Sequence, residues 1–276
     1  MTERAEGGPE PVVRLEIADA VATVTLNRPR ARNAISGELL AALQAAMATA
    51  DADSNVRAVV LTGAEPAFCA GVDLKEVGRQ TSLLRGGAGD GSGPHAPWRP
   101  ISKPVIAAVN GAAVTGGLEL VLNCDIVICS ERAVFADTHA RVGVLPGWGL
   151  SVLLPLAVGR SRARQMSFTG DFLGASQAVA AGLASEVVPH PDLLGRAREI
   201  ASAIAGNDDR AVRALLASYR RVEAEVIAGG YDAEGQASRA WRSSGLDLAE
   251  TSRRRAAVTE RGRAQASRDQ PADDTA

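Results

Sequence analysis

The chain has 276 residues, a formal net charge of −2, 46% hydrophobic and 22% charged residues. A chain this long buries about three quarters of its unfolded surface and needs no disulfide staples. The composition excludes a wholly disordered chain, and the near-neutral balance gives no electrostatic ground for nucleic-acid or acidic-membrane binding.

No run approaches a membrane span, and the polar start MTERAEGGPE lacks an apolar signal core, so a cytoplasmic protein is expected. Cys69, Cys124 and Cys129 have no CxxC spacing and read as reduced thiols, with neither a disulfide frame nor a metal site. The basic residues are 28 Arg and only 2 Lys, Lys75 and Lys103.

Residues 1–10 read as a loose tail. Val12–Ile17 and Val21–Leu26 alternate apolar and polar residues around Asp19-Ala20, the pattern of a β-hairpin. Arg28-Pro29-Arg30 ends the second strand. Ser36 then opens a helix with Leu39, Leu40, Leu43, Ala46, Met47 and Ala50 on one stripe. Val56–Leu61 reads as a buried strand, completing a ββαβ order.

A second round follows. Asp73–Val77 reads as a helix start, and residues 86–94 (GGAGDGSGP) as a Gly-rich loop followed by His95 and Trp98, a lid or a plain disordered loop. Val105–Val109 is a buried strand, Gly116-Gly117 a break, and LELVLNC a helix. Ile126–Cys129 and Ala133–Ala136 are strands; 147–157, 161–168 and 175–181 are helical; Val187-Val188 is a last short strand. From about 191 the chain turns Ala/Arg/Glu-rich, predicting helices to about 265 and a polar tail. Such helices either cap their own core or pack on a neighbouring subunit.

Two segments are candidates to carry chemistry, the first of them also readable as an ordinary strand-to-helix turn. Ala67-Phe68-Cys69-Ala70-Gly71-Val72-Asp73-Leu74 leaves a buried strand and opens a helix, so the amides after Gly71 are free donors. Val109-Asn110-Gly111-Ala112-Ala113-Val114-Thr115-Gly116-Gly117-Leu118-Glu119-Leu120 does the same and offers a second set. Two such turns facing each other would form an oxyanion hole. Glu119 is a carboxylate among Leu118, Leu120, Val121 and Leu122: an acid/base group, or a first-turn Glu answering free helical amides.

Together these segments resemble the crotonase (enoyl-CoA hydratase/isomerase) superfamily. The motifs are L-N-R-P-R-A-R-N-A at 26–34, A-F-C-A-G-V-D-L-K at 67–75, V-N-G-A-A-V-T-G-G-L-E-L at 109–120, C-D-I at 124–126 and F-A-D-T-H-A-R-V-G-V-L-P-G-W-G at 135–149. They stand in family order over about residues 12–190. The resemblance implies an α/β fold, a spiral of repeated ββα units with a helical C-terminal region. It implies a core over 1–195 carrying the acyl-CoA and active sites, and a helical oligomerisation region with a polar tail over 196–276. It implies homotrimers or dimers of trimers.

The resemblance also implies acyl-CoA thioester substrates, with no cofactor beyond the CoA they carry. Val72 and Gly116 would supply the oxyanion-hole amides. Arg30, Ala31, Arg32, Ala70 at the adenine, and Lys75 would contact CoA, with Arg30 where the family often has Lys. Trp148, in P-G-W-G where many relatives have a small residue, would wall the acyl pocket or serve the core.

One departure stands out. A hydratase of this family uses two glutamates; one matches Glu119, and the other falls on His139. A Glu–His pair can also activate water and protonate Cα, because imidazole serves either role near neutral pH. On an extended segment Asp137 would share a face with His139 and orient its ring, or it caps the loop as a turn residue. Arg141 reads as a salt-bridge partner, and Cys69 has no evident base to make it a nucleophile.

The expected activity is hydration of a trans-2-enoyl-CoA to a 3-hydroxyacyl-CoA in fatty-acid metabolism. The alternatives are another reaction on acyl-CoA (isomerisation or thioester hydrolysis) and a non-catalytic acyl-CoA binder.

Overall fold

The computed structural model describes residues 10–73, 96–227 and 229–245, and of the following stretch 250, 251, 253, 254, 257, 258, 260 and 261. Strands β1 (Val13–Ala18) and β2 (Val21–Leu26) form the expected hairpin. Asp19 and Ala20 both take positive φ, 49° and 64°, as a two-residue turn matched to strand twist requires.

Helix α1 (Gly37–Ala52) starts where Ser36 accepts a hydrogen bond from the Leu39 N–H. Its stripe Leu39, Leu43, Ala46, Met47 and Ala50 is buried. Its far end is held by the second lysine: Lys103, fully buried, donates through Nζ to the carbonyls of Ala50 and Asp53.

Strands β3 (Ala58–Gly63) and β4 (Val105–Val109) are buried along their whole length. With β6 (Ile126–Ser130) and β9 (Glu186–Val188) they extend the hairpin into a six-stranded sheet, order β1-β2-β3-β4-β6-β9, parallel from β2 onward. Alternate residues serve two cores. Val59, Leu61, Val105 and Ala107 face α1 and its neighbours, while Ala58, Val60, Ile106 and Ala108 pack with Leu193, Ala197 and Ala201.

The sequence misses two short strands, β5 (Ala112–Val114) and β8 (Leu173–Gly174), which with β7 (Val134–Ala136) form a second sheet, order β5-β7-β8. Two or three residues are too few for a period-2 signal to register. Gly116-Gly117 does not break the chain but opens helix α2 (Gly116–Leu122). Helix α3 is the single turn His139–Val142, so the segment around Asp137 is not extended as expected. The two helices expected over 147–157 and 161–168 are both present in α4 (Leu150–Thr169), where they meet at Gly159, whose φ of 75° and ψ of 155° are not helical. Helices α5 (Ala175–Ala180), α6 (Leu193–Ala205), α7 (Asp209–Ile227) and α8 (Gly230–Ser243) follow. The boundary expected at 195/196 falls inside α6, whose Ala197 and Ala201 lie in the sheet's second core.

The helix start expected at Asp73–Val77 lies, beyond Asp73, outside the described residues, as do Lys75, loop 86–94 and His95. Trp98 is a buried core residue. No helix among the described residues is long and apolar enough to cross a membrane.

Gly117 shows how tightly the two chemical segments meet. A Cβ there would stand 2.1 Å from the Cys69 carbonyl oxygen, a backbone atom with little room to retreat. Gly117→Ala therefore forces the segments apart and is expected to cost about 1–3 kcal/mol. Thermal denaturation reads this as a Tm lowered by several degrees; an unchanged Tm would contradict the close approach.

Candidate active site

The segment at 67–73 is threaded between two others. The Cys69 N–H donates to the Ala112 carbonyl and the Val114 N–H to the Cys69 carbonyl, making a bridge to β5. Two residues on, the Ile35 N–H donates to the Gly71 carbonyl and the Asp73 N–H to the Ile35 carbonyl, each at 2.8 Å. These bonds use the residues flanking Val72, so the Val72 N–H points away from Ile35. Gly71, at φ 90°, makes this turn available. Gly116 is the first residue of α2, so its N–H has no intrahelical acceptor. A Cβ built on Gly116 would lie 3.6 Å from the Val72 nitrogen. The two expected oxyanion donors are thus neighbours across the interface of the two turns.

The motif at 26–34 is pinned to the same place. The Asn33 side chain, fully buried, donates to the carbonyls of Ala64 and Ala67, both at 2.7 Å, and accepts from the Arg28 N–H at 2.9 Å. Arg28 pairs with Asp73 at 3.1 Å. Arg30 and Ala31 sit on a short 3-10 turn (Pro29–Ala31), with Arg30 and Arg32 exposed. The Arg32 carbonyl accepts from the Ala70 N–H at 3.0 Å. The structure therefore brings Arg30, Ala31, Arg32 and Ala70 together beside the Gly71–Val72 turn.

Glu119 is 3% exposed. Its Oε1 accepts from the Gly147 N–H (3.1 Å) and the Trp148 N–H (2.7 Å), and its Oε2 lies 3.5 Å from His139 Nε2. Trp148 is buried, and its carbonyl accepts from Asn123 Nδ2, which also bonds the Glu119 carbonyl. His139 opens the turn of α3, closed by Gly143 with a Val144 N–H to His139 carbonyl bond. Thr115 and Thr138 share a 2.6 Å hydroxyl bond that ties the turn before α2 to the start of α3.

Asp137 fills both roles open to it. Its Oδ1 accepts from the His139 backbone N–H at 3.1 Å, as a turn cap does, and lies 2.6 Å from His139 Nδ1. Burial opposes the imidazolium, but the Asp137 carboxylate, seconded by Glu119, outweighs it and holds the His139 pKa at about 10. Burial likewise opposes the Asp137 carboxylate, and His139 reverses this, lowering its pKa. The row is therefore a carboxylate, an imidazolium and a second carboxylate, all buried.

Cys69 stays outside this chemistry: burial pushes its thiol up to about 12. Arg141 pairs with Asp171 at 3.1 Å, as a structural ion pair. Glu234, on α8, has no signature in the sequence. It is 7% exposed and accepts from the Gly149 N–H at 2.6 Å and from the Ser151 N–H, directly after the loop that holds Glu119. Only the long-range pairing marks it, since within its own helix it is an ordinary acidic residue.

A family model described as enoyl-CoA hydratase/isomerase matches residues 16–256. The crystal structure of an enoyl-CoA hydratase from Mycobacterium smegmatis is similar at TM-score 0.78 and 51% sequence identity, covering 85% of this chain and 100% of that one. A probable mitochondrial enoyl-CoA hydratase of Dictyostelium discoideum is 40% identical over 221 residues, 75% of this chain and 76% of that protein. A probable peroxisomal enoyl-CoA hydratase 1 of Arabidopsis thaliana is 39% identical over 189 residues, 68% of this chain and 70% of that protein.

The raised His139 pKa has a consequence for stability. An unfolded histidine loses its proton near 6.5, whereas folded His139 keeps it to about 10. The folded state binds more protons between these values, so this contribution is full below about pH 6.5 and is lost as pH rises through 10. Urea denaturation at a series of pH values is expected to show a steeper loss of stability over this window in the wild type than in His139→Gln. Parallel profiles would contradict the assignment. Fold, motifs and matched span agree: the chain belongs to the crotonase (enoyl-CoA hydratase/isomerase) superfamily.

Proposed function

We propose that the protein is an enoyl-CoA hydratase that adds water to a trans-2-enoyl-CoA, giving a 3-hydroxyacyl-CoA in fatty-acid metabolism. The observation that carries this reading is the Glu119 carboxylate facing the His139 imidazolium at 3.5 Å, each buried and oriented by other groups. Hydration needs a base for water and an acid for Cα, and this pair supplies one of each at neutral pH.

In the proposed reaction Glu119 Oε2 takes a proton from water as the water oxygen bonds to Cβ of the enoyl group. The electron pair of the C=C bond moves toward the thioester oxygen, which the Val72 and Gly116 N–H groups receive. One such donor supplies about 3 kcal/mol toward the barrier. The enolate collapses as His139 Nε2 delivers its proton to Cα. Glu119 is then protonated and His139 neutral, and the proton returns from carboxyl to imidazole, restoring both. Asp137 keeps Nδ1–H occupied, so Nε2 is the nitrogen that faces Glu119. Addition of water is redox-neutral, so the reading calls for no cofactor beyond the CoA in the substrate. Arg30, Ala31, Arg32 and Lys75 would contact the CoA, Ala70 its adenine, and Trp148 the acyl group.

The reading extends to assembly and location. The C-terminal helices would form the contacts of a homotrimer or a dimer of trimers, in the cytoplasm. Helix α7 supports the former: Leu215, Tyr219, Val222 and Val226 lie at helical spacing and are 58–74% exposed, an apolar stripe the protomer leaves uncovered. Sedimentation equilibrium is expected to find trimers or hexamers; a monomer at micromolar concentration would refute the assembly.

The activity is tested by following loss of the conjugated-thioester absorbance with crotonyl-CoA and a longer trans-2-enoyl-CoA. Wild type is expected to turn over, with kcat lowered about 10²–10⁴-fold in Glu119→Gln and in His139→Ala. Full activity in Glu119→Gln would refute the site. Binding without turnover would leave an acyl-CoA binder, and movement of the double bond an isomerase.

A further inference from the structure

Helix α8 is far from the chemical motifs in sequence, yet it lies along the loop that holds Glu119. The four amides at the head of α4 divide between two buried acids. Gly147 and Trp148 donate to Glu119 Oε1, while Gly149 donates to Glu234 Oε1 and Ser151 to Glu234 Oε2. The N-cap of α4 is Gly149, which has no side chain to cap the helix. A carboxylate 85 residues later in the chain takes that place.

The packing leaves the loop little freedom. A Cβ on Gly149 would stand 2.4 Å from the Tyr231 ring, and one on Gly230 would stand 2.9 Å from Val152 Cγ2. The first turn of α8 therefore packs on the head of α4, one turn before Glu234. Burial and the nearby Glu119 charge oppose the Glu234 carboxylate, and the Ser151 and Gly149 donors support it. A buried acid facing another acid is costly, and its several donors at one helix start give it a fixed geometry.

We propose that Glu234 is a positioning residue for the hydration: by fixing the Gly149–Ser151 end of the loop, it aims the Gly147 and Trp148 N–H groups at Glu119 and so sets where the reactive Oε2 stands. This rests on Glu119 being the acid/base group of the proposed reaction. Glu234 touches neither water nor substrate in this account. Its effect reaches the chemistry only through the 147–151 backbone, where displacement by about 1 Å can cost up to 10²-fold in rate.

The test is steady-state kinetics on crotonyl-CoA for Glu234→Ala, Glu234→Gln and Glu119→Gln beside the wild type, with kcat expressed per acyl-CoA-binding site. Glu234→Ala is expected to lower kcat about 10–100-fold with KM changed less than about twofold. Glu234→Gln keeps one oxygen to accept an N–H and is expected to recover part of that loss. A purely structural role would reduce the number of binding sites and leave kcat per site unchanged. If Glu234→Ala does not fold, Glu234→Gln decides alone, through a kcat reduced at unchanged KM. Wild-type kcat per site in the folded Glu234 variants, with Glu119→Gln inactive, would overturn the positioning role and leave the hydratase reading standing. Full activity in Glu119→Gln would overturn both.

Discussion

The 2.6 Å contact between Asp137 and His139 sets the character of the site. Burial by itself would strip the proton from an imidazole, and a neutral His139 facing Glu119 would be a second base. A carboxylate at hydrogen-bond distance, in surroundings less polar than water, reverses this and holds the pKa at about 10. The same contact at an exposed surface would contribute little, because water screens it. The pair can do its work only where the fold removes solvent and also satisfies the remaining lone pairs. Asp137 receives the His139 backbone N–H, and Glu119 receives two amides from the 147–148 loop.

Those satisfied lone pairs are what the fold supplies. Strands β3 and β4, in the middle of the six-stranded sheet, are buried on both faces, and the short second sheet places β5 and β7 so that α2 and α3 begin side by side. Thr115 and Thr138 join the two starts. Segment 67–73 then passes between Ile35 and Ala113, its carbonyls and amides committed on either side, leaving Val72 N–H beside Gly116 N–H. Oxyanion donors drawn from the backbone resist side-chain substitution, and their placement depends on close approaches such as that of Gly117 to Cys69.

Much of this was legible from the sequence. Val105–Val109 and the hairpin are long enough to show their periods, and Ser36 before an apolar stripe marks a helix start. Glu119 stood out as a charge in an apolar run, and His139 by its place in a motif. Other features depend on contacts between distant segments. Strand β5 is three residues long and exists because β7 and Cys69 pair with it. From the sequence Asp137 is open to two roles, cap or ring partner, and a one-turn helix lets a single oxygen be both. Lys103, one of the two lysines, has no local signature for its place, because it caps α1 from another segment within the core. Glu234 has no local signature, because its partners are backbone amides of another helix.

The charge on the His139 ring can be measured directly. With only three histidines, His95, His139 and His190, ring-nitrogen NMR of the labelled protein can be assigned by His139→Gln. At pH 8 His139 is expected to have both ring nitrogens protonated, with titration near 10. A neutral His139 at pH 8, titrating near 6.5, would contradict it and remove the acid from the proposed reaction.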